Sequence, residues 1–371
     1  MHDVCAGAVI SLEGTLIAPE HGLEELETTC LGEQRQEGSI GASSEGALFP
    51  VRQDGKSGAI DRSGRVVIPL CFDFVGEFHE GLARFARGKL FGFVDKRGRI
   101  VIPPRFTSEW NFSEGLARVT SDDDPYWHRC GYVDQSGMMA IKDDIECESA
   151  FAAGYDFRNG LAKMDEKITK HGFLDKTGQV AIRPEFESVE TFSAGLAAAK
   201  KIGEEKWGYI DVNGDWAIEP QFAWAFSFSD GVALVHVGDN CGYIDKSGAM
   251  VLRLPQSNLR MAPCGEFHEG LASFAESGKY GFVDHAGRVV LPATFDRVQP
   301  FADGLAAVMV GEEWGYADKS GRMAIPLKPL KQASDFRDGL AKVLTVDGKE
   351  GYIDKDNKFV WGPVQREKGG L

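Results

Sequence analysis

Basic charge is scarce in this chain: 41 lysines and arginines stand against 56 aspartates and glutamates in 371 residues, a formal net charge of −15. Holding a phosphate backbone needs clustered Lys and Arg, so a nucleic-acid partner is excluded. Long apolar runs are missing too. No stretch approaches the roughly 18 apolar residues of a membrane span, and Met1-His2-Asp3-Val4-Cys5 lacks the basic start and apolar core of a signal peptide. The cytoplasm is the expected address. Seven cysteines, at 5, 30, 71, 130, 147, 241 and 264, are odd in number and unpaired in spacing, which predicts no disulfide framework. Cys130 and Cys241 stand just before a glycine and are expected to be small buried hydrophobes. The eight histidines offer no His-x-x-x-His or Glu-x-x-His pairing and Cys-x-x-Cys does not occur, so no metal is expected. Neither a Gly-x-Ser-x-Gly nucleophile turn nor a strand-linked Gly-x-Gly-x-x-Gly cradle is found, so no catalytic residue and no cofactor can be assigned.

What the chain has is a nine-fold echo of glycine, usually an aromatic, an aliphatic and then aspartate. It falls at Gly58–Asp61, Gly92–Asp95, Gly131–Asp134, Gly172–Asp175, Gly208–Asp211, Gly242–Asp245, Gly281–Asp284, Gly315–Asp318 and Gly351–Asp354. Successive aspartates lie 34 to 41 residues apart. A ladder of that period marks a tandem array of small units, and almost any motif in it reads first as scaffold.

Each echo closes on a turn such as Asp245-Lys246-Ser247-Gly248. The aspartate accepts bonds from following amides and the glycine takes the left-handed conformation; in the last unit Asn357, the residue next best able to hold it, replaces that glycine. A short aliphatic run ending in proline follows, as in Val66-Val67-Ile68-Pro69, and reads as a strand that the proline terminates. A second tag, Gly-Leu-Ala, as at Gly81-Leu82-Ala83 and Gly304-Leu305-Ala306, opens another strand leading through a polar tip into the next echo. Between proline and tag, pairs such as Phe72 and Phe78 or Phe186 and Phe192 are expected to plug the space between neighbouring units.

The expected fold is therefore all-β: a tandem array of nine to ten three-stranded meanders of 34–41 residues. Three strands fall short of the four usual in a propeller blade, which favours an open superhelical solenoid. Its rival is a closed propeller-like ring in which residues 9 to 19 complete the sheet of residues 351 to 363. Residues 1–45 read as a degenerate half repeat and cap, 46–363 as the array and 364–371 as a tail.

Assembled in order, Trp-Gly-Tyr-Ile-Asp, turn, Val-Ile-x-Pro, aromatic linker and Gly-Leu-Ala, the chain resembles the bacterial WG-repeat family. Lys206–Asp211 and Trp314–Asp318 are its nearest matches, while Phe91, Cys130, His171, Cys241, Tyr280 and Glu350 replace the name-giving tryptophan elsewhere. The resemblance implies repeat modules of poorly defined biochemistry that occur alone or attached to other domains, some in toxin-associated neighbourhoods, and brings no catalytic residue set.

Where the repeat breaks, function is easier to see. The tip Asp122-Asp123-Asp124-Pro125-Tyr126-Trp127-His128-Arg129 is long, acidic and aromatic, and Asp143, Asp144, Glu146 and Glu148 replace the usual proline linker. Carboxylates guide a basic partner and aromatics anchor it, so Asp122, Asp123, Asp124, Tyr126, Trp127, His128, Asp143, Asp144, Glu146 and Glu148 form the candidate partner-binding lip. A third break, Leu254–Cys264, is expected to be a bend. The functional expectation is a non-catalytic protein-binding scaffold, in the form of an immunity or antitoxin protein that covers a basic toxin domain. The alternative is an enzyme, or a small-ligand or glycan-binding protein, using a cleft between units, which clustered desolvated acid and base groups would favour.

Overall fold

The computed structural model describes residues 46–120, 128–147, 155–166, 170–238, 240–254 and 264–365, with the side chains of 109, 128, 129 and 143–147 left aside. Among these residues there is no helix, and nine consecutive antiparallel units account for all the strands. Unit 2 shows the plan: Phe74–His79, Leu82–Arg87, Leu90–Asp95 and Ile100–Phe106 pair in chain order.

Most units have four strands, which corrects the expectation of three; among the described residues units 1 and 4 show three. The extra strand is the aromatic linker, whose pairing shifts register between Val75↔Phe85 and Phe78↔Ala83. That bulge breaks the period-two alternation by which a strand is recognised in a sequence. The proline rule also fails, because Pro69 and Pro103 lie inside Val66–Phe72 and Ile100–Phe106. These fourth strands lie at the edge of their sheets, where a missing N–H leaves no partner unserved. In two places the fourth strand runs on as the next unit's first, in Val180–Val189 and the fifteen-residue Met323–Arg337.

The turn aspartates behave as the spacing requires. Asp245 Oδ1 accepts the amides of Ser247 at 2.9 Å and Ala249 at 3.1 Å, and Gly248 sits at φ +83°. The echo glycine answers to a different need: a Cβ on Gly92 would collide with the carbonyl of Ile102 on the bulged fourth strand.

Neighbouring units meet through one repeated contact. From unit 2 to unit 8 the third-strand aromatic packs edge-on against the plug phenylalanine of the next unit, as in Phe93–Phe112, Tyr132–Phe157, Tyr243–Phe267 and Tyr316–Phe336, with centroids 4.7–4.9 Å apart. The tag alanine beneath each plug, such as Ala117 or Ala233, is fully buried. Many of these tyrosines also donate to a first-strand carbonyl of the next unit, Tyr209 to Phe226 at 2.8 Å and Tyr316 to Ser334 at 2.8 Å.

A second girdle runs along the turns between first and second strands. Glu80–Gly81 and its counterparts hold both residues at positive φ, and the acid bonds the glycine amide of the next unit: Glu80 to Gly115 at 2.8 Å, Glu114 to Gly160 at 2.9 Å, Glu269 to Gly304 at 2.9 Å. The residue after the turn aspartate reaches back to the same acid, Lys176 to Glu114 at 3.1 Å and Lys319 to Glu269 at 2.9 Å.

The first and last units share a core cluster that joins Phe49, Val51 and Ile60 to Leu340 and Tyr352. Phe49 occupies the register of the tag alanine, pairing with Ile60 as Ala83 pairs with Val94, and its ring meets Tyr352 at 5.6 Å. Arg62 reaches Asp338 at 3.4 Å, repeating the girdle contact, and a Cβ on Gly64 would strike the carbonyl of Val360. The sheet holding residues 351 to 363 already has four strands from within Met323–Gln365, so residues 9 to 19, outside the described set, are not needed to complete it.

Cys241 and Cys264 are joined as a disulfide, contrary to the expectation of no such framework. They lie 23 residues apart and belong to units 6 and 7, so only the stacking of units brings them together.

Candidate binding site on the first strands

Four of the ten lip residues expected from the sequence are described, all in unit 3. His128 lies on His128–Asp134, and Asp143, Asp144 and Glu146 on Met139–Cys147; Asp122, Asp123, Asp124, Tyr126, Trp127 and Glu148 lie outside the described residues. The two strands pair His128↔Cys147 and Arg129↔Glu146, which puts His128 and Arg129 of the first break opposite Glu146 and Cys147 of the second.

A second constellation escaped the sequence reading. Around the plug phenylalanine, four units carry an acid before and a base after it: Glu77-Phe78-His79, Asp156-Phe157-Arg158, Glu266-Phe267-His268 and Asp335-Phe336-Arg337. Within a strand, residues two apart share a face, so the pairs of units 2, 7 and 9 each stand together. His79 lies 4.0 Å from Glu77 and His268 3.9 Å from Glu266. In units 3, 5 and 6 a serine follows the phenylalanine and donates to the plug carbonyl of the next unit: Ser113 to Phe157 at 2.7 Å, Ser193 to Phe228 at 2.6 Å, Ser229 to Phe267 at 2.5 Å.

These charged groups act on one another across units that are not neighbours. Arg337 of unit 9 bonds Glu77 of unit 2. Burial pushes the Asp156 carboxyl above its ordinary range, against the pull of Arg118, Arg158, His79 and Arg84. Burial likewise raises Glu190, opposed by Lys163 and reinforced by Glu266, and raises Asp335, opposed by His268. Burial and the Arg84 charge lower His79. The signal in the sequence was the acid-Phe-base tripeptide, recognisable once the linker is known to be a strand.

Beneath them lies a closed network. Asp165 Oδ1 meets His171 Nδ1 at 2.5 Å and Asp165 Oδ2 accepts from Tyr155. Burial opposes ionisation of Asp165, but these two bonds prevail and hold its pKa low. The Arg118 guanidinium lies 3.4 Å from the Trp110 ring centroid and 4.5 Å from that of Tyr155. Arg118, Tyr155, Asp165 and His171 are all buried, so the network is structural. No group of three potential metal ligands comes together among the described residues.

The WG containing repeat profile matches residues 58–90, 91–123, 172–203, 207–241, 280–314 and 314–349, more than half of the chain. The chain belongs to the WG-repeat family. No curated protein matches it. Among solved structures, this WG-repeat chain resembles a eukaryotic initiation factor at 12% identity, over 85% of this chain and 95% of that one, with a TM-score of 0.57. At that identity the likeness concerns the fold alone. BamB from Moraxella catarrhalis (11% identity, 77% and 92% covered, TM-score 0.44) and AztD from Citrobacter koseri (10%, 85% and 93%, 0.42) are more distant.

Proposed function

We propose that this WG-repeat protein is a non-catalytic binding scaffold whose nine units close into a propeller-like ring, with a basic protein docked on the acidic corner of unit 3. The Asp338–Arg62 contact supports closure, since it repeats at the end-to-end seam a contact made between internal neighbours, and Tyr352 packs on Phe49 across the same seam. The docking site is supported by one observation, the His128↔Cys147 and Arg129↔Glu146 pairing, which sets the end of the first break opposite the end of the second. A net charge of −15 speeds capture of a basic partner, and a toxin domain that the protein neutralises is the partner class carried forward.

The test is kinetic, on a partner co-purified from the native host. Changing Asp122, Asp123 and Asp124 to serine is expected to slow association and flatten its salt dependence, while Trp127→Ala speeds dissociation. A partner indifferent to both changes would place docking elsewhere.

A further inference from the structure

From unit 2 to unit 9 the girdle of side-chain bonds to glycine amides fails at one joint. At five joints a turn carboxylate accepts the glycine amide of the next unit at 2.6–2.9 Å, and at a sixth Asn159 Oδ1 accepts that of Gly195 at 3.2 Å. Between units 5 and 6 the acid's place is taken by Ala194, which has no side-chain oxygen to offer. Among the described residues, neither the Gly231 amide nor the Lys246 ammonium beside that place has a hydrogen-bond partner.

The frame of the joint is intact. Ala194 holds the left-handed φ of its counterparts, +56° against +51° at Glu114 and +52° at Glu269, and Gly231 matches Gly160 and Gly304 at +84° against +81° and +82°. Ser193 donates to the Phe228 carbonyl at 2.6 Å and Tyr209 to that of Phe226 at 2.8 Å, so units 5 and 6 are fastened as other neighbours are. Lys246 follows its turn aspartate as Lys176 and Lys319 follow theirs, and those two lysines reach Glu114 and Glu269 at 3.1 and 2.9 Å. Two donors that elsewhere hold a carboxylate between them are thus kept in register with the carboxylate taken away.

We propose that the joint between units 5 and 6 is a binding site for a carboxylate supplied from outside the chain. One carboxylate oxygen accepts the Gly231 amide and the group's charge faces Lys246, the arrangement that Glu114 and Glu269 make in cis. Ala194, Gly231 and Lys246 are all exposed, so the carboxylate can arrive on a small acid or at the end of a peptide. Neither ring closure nor docking at unit 3 enters, because units 5 and 6 are consecutive in the chain.

Amide-resolved NMR on the full chain, at constant ionic strength, tests it with acetate, acetyl-triglycine and the C-terminal amide of that peptide. Acetyl-triglycine, acetate or both should shift the Gly231 amide resonance saturably, and the uncharged amide should leave it in place. A peptide at least about threefold tighter than acetate identifies a chain terminus as the ligand, and acetate as tight or tighter identifies a free acid. Lys246→Met should weaken the binding about threefold, the scale of an exposed ion pair. Ala194→Glu supplies the missing group in cis, so it should abolish the shift and raise the thermal midpoint; if that variant fails to fold, Lys246→Met decides alone. The inference is overturned if about 0.1 M of either acid leaves Gly231 unmoved, if the amide shifts it equally, or if binding survives both substitutions undiminished.

Discussion

Tyr352 donates its hydroxyl to the backbone carbonyl of Pro50 at 3.0 Å, across 302 residues of chain. Tyr209 and Tyr316 make the same type of bond to the unit that follows each of them, 17 and 18 residues on. Unit 9 thus treats unit 1 as its next neighbour. The acceptor lies on Phe49–Gln53, a strand whose Phe49 supplies the ring that a first-strand phenylalanine supplies elsewhere.

That bond can be weighed against an internal one. Tyr352→Phe and Tyr316→Phe should each lower stability by about 1 kcal/mol in denaturant unfolding, the usual net worth of a lost hydrogen bond. A cost for Tyr316→Phe alone would mean that the end seam does not form in solution.

Glycine substitutions probe the same seam sterically. Gly64 and Gly81 share a left-handed backbone, φ +84° and +88°, but a Cβ on Gly64 would strike Val360 while nothing lies within 4 Å of one on Gly81. Gly64→Ala should therefore cost at least about 1 kcal/mol more than Gly81→Ala, since the backbone strain is common to both. Equal thermal midpoints would show that units 1 and 9 are apart.

Asp335 should make stability depend on pH in a definite direction. Burial raises its folded-state pKa, and its Oδ1 is buried without a hydrogen-bond partner among the described residues. A carboxyl raised on folding gives its full contribution below the unfolded value of about 4 and loses it as pH rises through the folded value. Asp335→Asn should accordingly raise the thermal midpoint at pH 7 and leave it unchanged near about pH 3. The opposite order at the two pH values would mean the carboxylate is stabilised where it stands.

Reduction tests the bond between units 6 and 7. A cross-link closing 23 residues is worth on the order of 3 kcal/mol, so a thiol reductant should lower the thermal midpoint of the protein. The Cys241→Ser, Cys264→Ser double variant should lose most of that sensitivity. A midpoint indifferent to reductant would show that the sulfurs do not bridge in solution.

The period of the echo, the turn chemistry of Asp245 to Gly248, the aromatic plugs and the all-β class were legible in the sequence because each is a local rule repeated nine times. The first strand was not legible, because its bulge hides the alternation; so a four-stranded unit read as three. The acid-Phe-base pairs were hidden with it. What only the tertiary structure decided is which residues meet from different turns of the array: Tyr352 with Pro50, Arg337 with Glu77, Cys241 with Cys264. Those meetings depend on the angle each unit makes with the next. That angle is set by how Phe, Tyr and Ala pack between sheets, and chain spacing carries no record of it.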